Sequence, residues 1–175
     1  MPTNLITLDW CRALASEGRQ DEVASAVADG AQFLNPPEII IAEISYFGAD
    51  AWLDSFLERG AGLDGQSRDG ISALGNCILG AGAYKPTLAL FHKLLAAGAN
   101  PNLFASQLRT PLQLAIDEVK PEYLLLLLMH GADPLCNGGD FPCLNALDHA
   151  RNQRWAKYLL ERWLRGNRLD ARQLL

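Results

Sequence analysis

Apolar residues fall in short helical blocks along the chain, and nearly every block stops at a glycine. The dipeptide Gly-Ala closes four of them, at Gly30-Ala31, Gly60-Ala61, Gly98-Ala99 and Gly131-Ala132, and Gly166 closes a fifth. The blocks that precede these stops, roughly 22–29, 50–59, 87–97, 121–130 and 154–165, carry the spacing of helices. A glycine just past a helix is the common left-handed C-cap, so the glycine period counts helix ends. Gly18 and Gly48 stand twelve residues ahead of Gly30 and Gly60, which fits a short helix, a tight turn and a second helix in each repeat.

Helix-start signals precede the later blocks. Thr110-Pro111-Leu112-Gln113 offers a Thr N-cap, Pro at the first helical position and Gln to close a capping box. Asn145-Ala146-Leu147-Asp148 offers an Asn cap, and Ser72-Ala73-Leu74 is a poorer version. The run Tyr123 to Met129 is apolar on every face. A buried strand could give that pattern, but Pro121 before it and Gly131 after it favour a helix between two neighbours. Five helix–turn–helix units fit, at about 4–33, 34–66, 67–104, 105–137 and 138–170, in one all-α solenoid domain spanning 1–175.

The residues that close and open these units resemble the ankyrin repeat family. Arg109-Thr110-Pro111-Leu112-Gln113-Leu114-Ala115 resembles its Thr-Pro-Leu-His-x-Ala opening. Leu94 to Asn102 and Leu127 to Pro134 resemble its Leu-Leu-x-x-Gly-Ala-Asp-x-Asn close. Asp69 to Leu74 and Asn145 to Ala150 resemble variants of the opening, while the first two units keep only the glycine spacing and the Gly-Ala. The resemblance implies short β-turn fingers between units. It also implies a partner protein held by the turn tips and by the exposed ends of the first helices.

Carried over position by position, the turn-tip candidates are Asn35, Glu38, Arg68, Asp69, Gln107 with its neighbour Ser106, Arg109 and Phe141. Those on first-helix ends are Tyr46, Phe47, Asp117, Glu118 and Asn152 with Gln153; Phe104 replaces a small turn residue. Tyr84 comes from a Gly-rich insertion, Gly80 to Pro86, that makes the third unit five residues too long. Loops on a rigid scaffold are where function concentrates. Tyr46 and Phe47 are adjacent on a helix, so one of them is expected to stay partly exposed, as interface anchors are.

Composition narrows the function. Over 175 residues, 49% are hydrophobic and 20% charged, which excludes disorder over most of the length. No apolar run approaches the ~20 residues of a membrane span, and no secretory signal is expected at the N-terminus. Cys11, Cys77, Cys136 and Cys143 lack zinc-ligand spacing and read as reduced thiols of a cytoplasmic protein. His92, His130 and His149 are scattered, and Asp148 beside His149 points some 100° away on a helix. His130 reads as a helix C-terminal residue. Gly60-Ala61-Gly62-Leu63-Asp64-Gly65 fits the dinucleotide pattern, but a helix ends into it and presents the wrong dipole end to a phosphate. No cofactor, metal or catalysis is expected.

Charge is uneven. Residues 1–70 carry twelve acids against four bases, whereas 151–175 carry seven bases against two acids. The basic end, with Trp155, Tyr158 and Trp163, could meet nucleic acid, but an isoelectric point near 5.1 argues for a solvated cap. The expected activity is therefore binding: a monomer that masks or inhibits a partner protein. The excess of Arg over Lys, eleven to four, points to a bacterial source. A bacterial immunity protein against a cognate basic toxin or enzyme is the specific form of this reading; an intracellular scaffold, adaptor or host-directed effector is the alternative.

Overall fold

In the computed structural model the described residues are 5–80, 87–105, 109–136 and 145–166. Among them the protein is mostly helical, with ten α-helices and one two-stranded sheet. Packing divides the chain into two compact units, Met1–Asn100 and Pro101–Leu175.

The first unit holds β1 (Leu5–Ile6), α1 (Leu8–Ser16), α2 (Gln20–Ala28), β2 (Gln32–Phe33), α3 (Pro37–Ile44), α4 (Leu53–Glu58), α5 (Ala73–Gly80) and α6 (Leu88–Ala96). A 3-10 turn, Ser45–Phe47, extends α3. The odd-numbered helices stack in sequence, α3 between α1 and α5, while α2 packs on α4 and α6 on α5. The core between them is Ile40, Ile41, Ile44, Trp52, Leu53, Phe56, Ile78, Leu90 and Phe91, all fully buried.

Polar staples link each helix pair of this unit to the next. Asn35 Oδ1 accepts the Leu8 N–H at 2.9 Å, and Asn76 Nδ2 donates to the Ala42 carbonyl at 2.7 Å. Arg59, at the end of α4, donates to the Ala31 carbonyl at 2.6 Å and lies 4.4 Å over the Phe33 ring. The Arg59 cation thus serves both the negative end of α2 and an aromatic face. β1 and β2 pair in parallel, Leu5 with Gln32 and Ile6 with Phe33, a pairing with no sequence signal.

The second unit holds α7 (Pro111–Asp117), α8 (Pro121–Met129), α9 (Ala146–His149) and α10 (Arg154–Leu164), with a 3-10 turn at Ala150–Asn152. α7 packs on α8 and on α9, and α10 packs on α9. In α8, Tyr123, Leu124, Leu125, Leu127 and Leu128 are buried while Met129 is exposed. The apolar run is a helix. Asn102 ties the approach to α7 to the end of α8, accepting the Asp133 N–H at 2.8 Å and donating to the Gly131 carbonyl at 3.2 Å.

The expected punctuation is present at atomic level. Gly18, Gly30, Gly48, Gly60, Gly98, Gly131 and Gly166 all have positive φ, between 72° and 100°. Thr110 and Gln113 form the capping box, and Asn145 Oδ1 accepts the Asp148 N–H at 2.8 Å. Ser72 also caps, accepting the Gly75 N–H at 3.1 Å, and so does Thr7, which the sequence reading passed over. One β-turn finger is described whole: Gln66 bridges Ser72, Ser67 N–H donates to the Ile71 carbonyl at 2.8 Å, and Gly70 turns with φ +72°. Replacing this buried N-cap orphans the Gln113 N–H, which the Thr110 hydroxyl accepts. Thr110→Ala should therefore lower unfolding free energy by about 1 kcal/mol in urea titration, with unchanged helicity of the folded protein.

Candidate functional site

The finger at 66–72 and the ends of the first helices meet over a cavity of about 280 Å³ in the first unit. Arg12 of α1, Glu43 of α3, Tyr46 and Phe47 of its 3-10 extension, Ser67, Asp69 and Ile71 of the finger, and Asn76 and Leu79 of α5 line it. Three consecutive helix pairs thus supply one site.

Glu43 is the electrostatic centre. It is only 6% exposed, and a buried carboxylate needs partners. Its Oε1 accepts from Arg12 Nη1 at 2.7 Å, and its Oε2 takes a longer bond, 3.3 Å, from the Arg68 backbone N–H. Arg68 turns its own guanidinium outward to Asp9 at 2.9 Å. The Asp69 carboxylate, exposed at the rim, makes no hydrogen bond or ion pair among the described residues.

Tyr46 is half-buried and meets Phe47 edge to face, with ring centroids 5.6 Å apart. The backbone under this pair is pressed by α5: a Cβ added to Gly80 would lie 2.1 Å from the Tyr46 carbonyl oxygen. Gly65 makes a similar approach to the Glu38 backbone, where an added Cβ would meet atoms at 2.7 Å.

The structure revises several expected contact residues. Phe47 is buried, 8% exposed, because the 3-10 turn folds it against α5; of the aromatic pair, only Tyr46 is half-exposed. Asn35 is a staple for α1 rather than a free turn tip, its side-chain oxygen spent on the Leu8 amide. Glu38 is half-buried under Gly65. Arg68 and Asp69 are exposed at the rim as expected. Tyr84, Gln107, Phe141 and Ser106, together with residues 81–86 of the insertion and Cys143, lie outside the described residues.

In the second unit, Arg109, Asp117 and His149 converge. Asp117 takes Arg109 Nη1 at 2.7 Å and His149 Nε2 at 2.6 Å. His149 therefore pairs with a carboxylate 32 residues away instead of its neighbour Asp148, a partner invisible without the stacking of α7 on α9. Glu118 and Asn152 are exposed beside this cluster on the chain, and Phe104 is half-buried. On α10, Tyr158 is exposed and accepts from Arg162 at 3.2 Å.

Two of the cysteines, Cys11 and Cys77, are buried. Burial pushes the Cys11 thiol up to about 12, and Cys77, fully enclosed beside the Ser45 carbonyl, is raised as well. Among the described residues no cluster of His, Cys, Asp and Glu could hold a metal, and no helix is long and apolar enough to cross a membrane. In comparisons with known proteins, no family model and no curated protein matches the chain.

Two measurements follow from this geometry. Gly80→Ala should destabilise the protein by about 1–3 kcal/mol, the usual cost of forced overpacking, and should shift the amide resonances of Tyr46 and Phe47. In the folded protein at about pH 8, alkylation should reach Cys136, which is half-exposed, well before Cys11 and Cys77, because only the thiolate reacts. Peptide mass spectrometry of the labelled protein reads the order.

Proposed function

We propose that the chain is a non-catalytic protein-binding module of ankyrin-type helix pairs, which grips a partner polypeptide through its finger tips and first-helix ends. The observation that carries this reading is the cavity at 12–79, where Tyr46, Asp69 and Arg12 of successive helix pairs converge on one opening. A half-buried aromatic flanked by charged rim residues is the composition of an interface anchor. The ankyrin assignment draws support from the left-handed glycines behind α2, α4, α6, α8 and α10, the Thr110 capping box and the stacking of α3 between α1 and α5.

In this reading binding itself is the output: the module masks or inhibits its partner. A basic partner is favoured, since residues 1–70 carry twelve acids against four bases and complementary charge speeds encounter. An immunity protein that neutralises a basic toxin is the specific form proposed.

The test is capture of the partner from native lysate, identified by mass spectrometry and then titrated as purified protein. Tyr46→Ala should weaken binding by more than about 1 kcal/mol, roughly fivefold or more, while circular dichroism stays unchanged. A partner that binds Tyr46→Ala and Asp69→Ala as tightly as the wild type sinks the proposed site.

A further inference from the structure

The cavity, at about 280 Å³, stands at the lower end of small-ligand sites, and its lining mixes charged, polar and apolar side chains. Its chemistry is specific. At the floor lies a carboxylate that is 94% withdrawn from solvent by its own fold, since Glu43 is 6% exposed. One of its oxygens holds a short bond to Arg12, and the other has only a 3.3 Å contact with a backbone amide. Each carboxylate oxygen offers two lone-pair sites, so Oε2 of Glu43, a residue that lines the cavity, retains acceptor capacity. At the rim stands Asp69, a second carboxylate with no partner among the described residues. Between floor and rim the walls are Tyr46, Phe47, Ile71 and Leu79.

We infer that this cavity receives an arginine side chain of the partner polypeptide. The guanidinium donates to Glu43 Oε2 at the floor and to Asp69 at the rim, and its methylene stem lies along the apolar wall beside the Tyr46 ring. A planar, five-donor cation suits two carboxylates set at different depths, and it is more weakly hydrated than an ammonium, so it enters a narrow cavity at lower cost. An anionic side chain would meet Glu43 and Asp69 with repulsion, and a neutral donor would forgo the charge assistance of the bond. Charge around the opening agrees: Asp9, Glu43 and Asp69 outnumber Arg12 and Arg68. Arg12, already on Glu43 Oε1, shows within the chain itself that this carboxylate takes a guanidinium.

This inference rests on the protein-binding reading but is tested without the natural partner. The probes are N-acetyl-arginine-methylamide and its citrulline counterpart, which has nearly the same shape and no charge, titrated into the ¹⁵N-labelled full chain by NMR. The arginine compound should give saturable shifts at Phe47, Asp69, Ile71 and Asn76, and the citrulline compound should bind about tenfold more weakly or not at all. Asp69→Asn, exposed and away from the core, should weaken the arginine compound about threefold, the size of an exposed ion pair. Arg12→Ala removes a competing cation and should tighten it. Equal binding of citrulline, or arginine binding unmoved by both substitutions, overturns the inference and leaves the protein-binding reading standing. That reading fails separately, when the captured partner ignores Tyr46→Ala.

Discussion

Short helices are the governing constraint on this protein. Among the described residues its α-helices run from four residues in α9 to eleven in α10, all below the ~12–15 residues at which an isolated helix becomes even marginally stable in water. None can persist except by burying a face on another. Stacking of α3 between α1 and α5, and of α7 on α8 and α9, is thus the condition for these helices to exist. The recurrent glycines follow from it. A helix that must stop after two or three turns and reverse needs a left-handed residue at its end, and Gly18, Gly30, Gly60, Gly98 and Gly131 provide that conformation without a Cβ penalty.

Stacking also explains why the polar groups of the first unit sit where they do. Successive helix pairs present carbonyls and amides to one another at their ends, and buried ones must be satisfied. Asn35 on the Leu8 amide, Arg59 on the Ala31 carbonyl and Asn76 on the Ala42 carbonyl each answer a buried or part-buried group across 27 to 34 residues. Glu43 belongs to this set by position, accepting the Arg68 amide of the next finger, but it carries a full charge and draws in Arg12 as well. A neutral staple such as Asn76 only registers one helix on another. A buried carboxylate also keeps an attractive potential at the opening above it.

The helices were readable because their stops are chemical: positive-φ glycines, the Thr110 box and the Asn145 cap act within a few residues, and local rules describe them. Tyr46 and Asp69, read from their places on a helix end and a turn tip, both line the cavity. What the sequence did not reveal depends on contacts between repeats. Glu43 looks like one acid among twelve in the first 70 residues, and only the stacking of α1 and α5 on α3 buries it. Asn35 looks like a free turn residue until Leu8 is found beneath it. Phe47 and Tyr46 are equivalent in sequence, and the 3-10 turn alone decides that Phe47 goes inward. His149 likewise had no visible partner until α9 lay on α7 beside Asp117. The β1–β2 pairing joins two-residue strands too short to carry an alternation.

The site and the packing share one origin in the small residues of α5. Gly75, Asn76 and Gly80 are buried in that helix, and no bulkier side chain fits where Gly80 meets the Tyr46 carbonyl. The close approach sets the 3-10 turn against α5 and buries Phe47 there, while Tyr46 stays half-exposed. In the proposed binding role, an anchor seated on such a packed turn would spare the association part of its entropy of immobilisation. The finger at 66–72, whose Ser67 and Arg68 backbone is tied to Ile71 and to Glu43, is ordered by the same contacts. The opening between them is therefore a consequence of how α5 seats against α3, and a side chain in place of Gly80 would force the two apart where the cavity is lined.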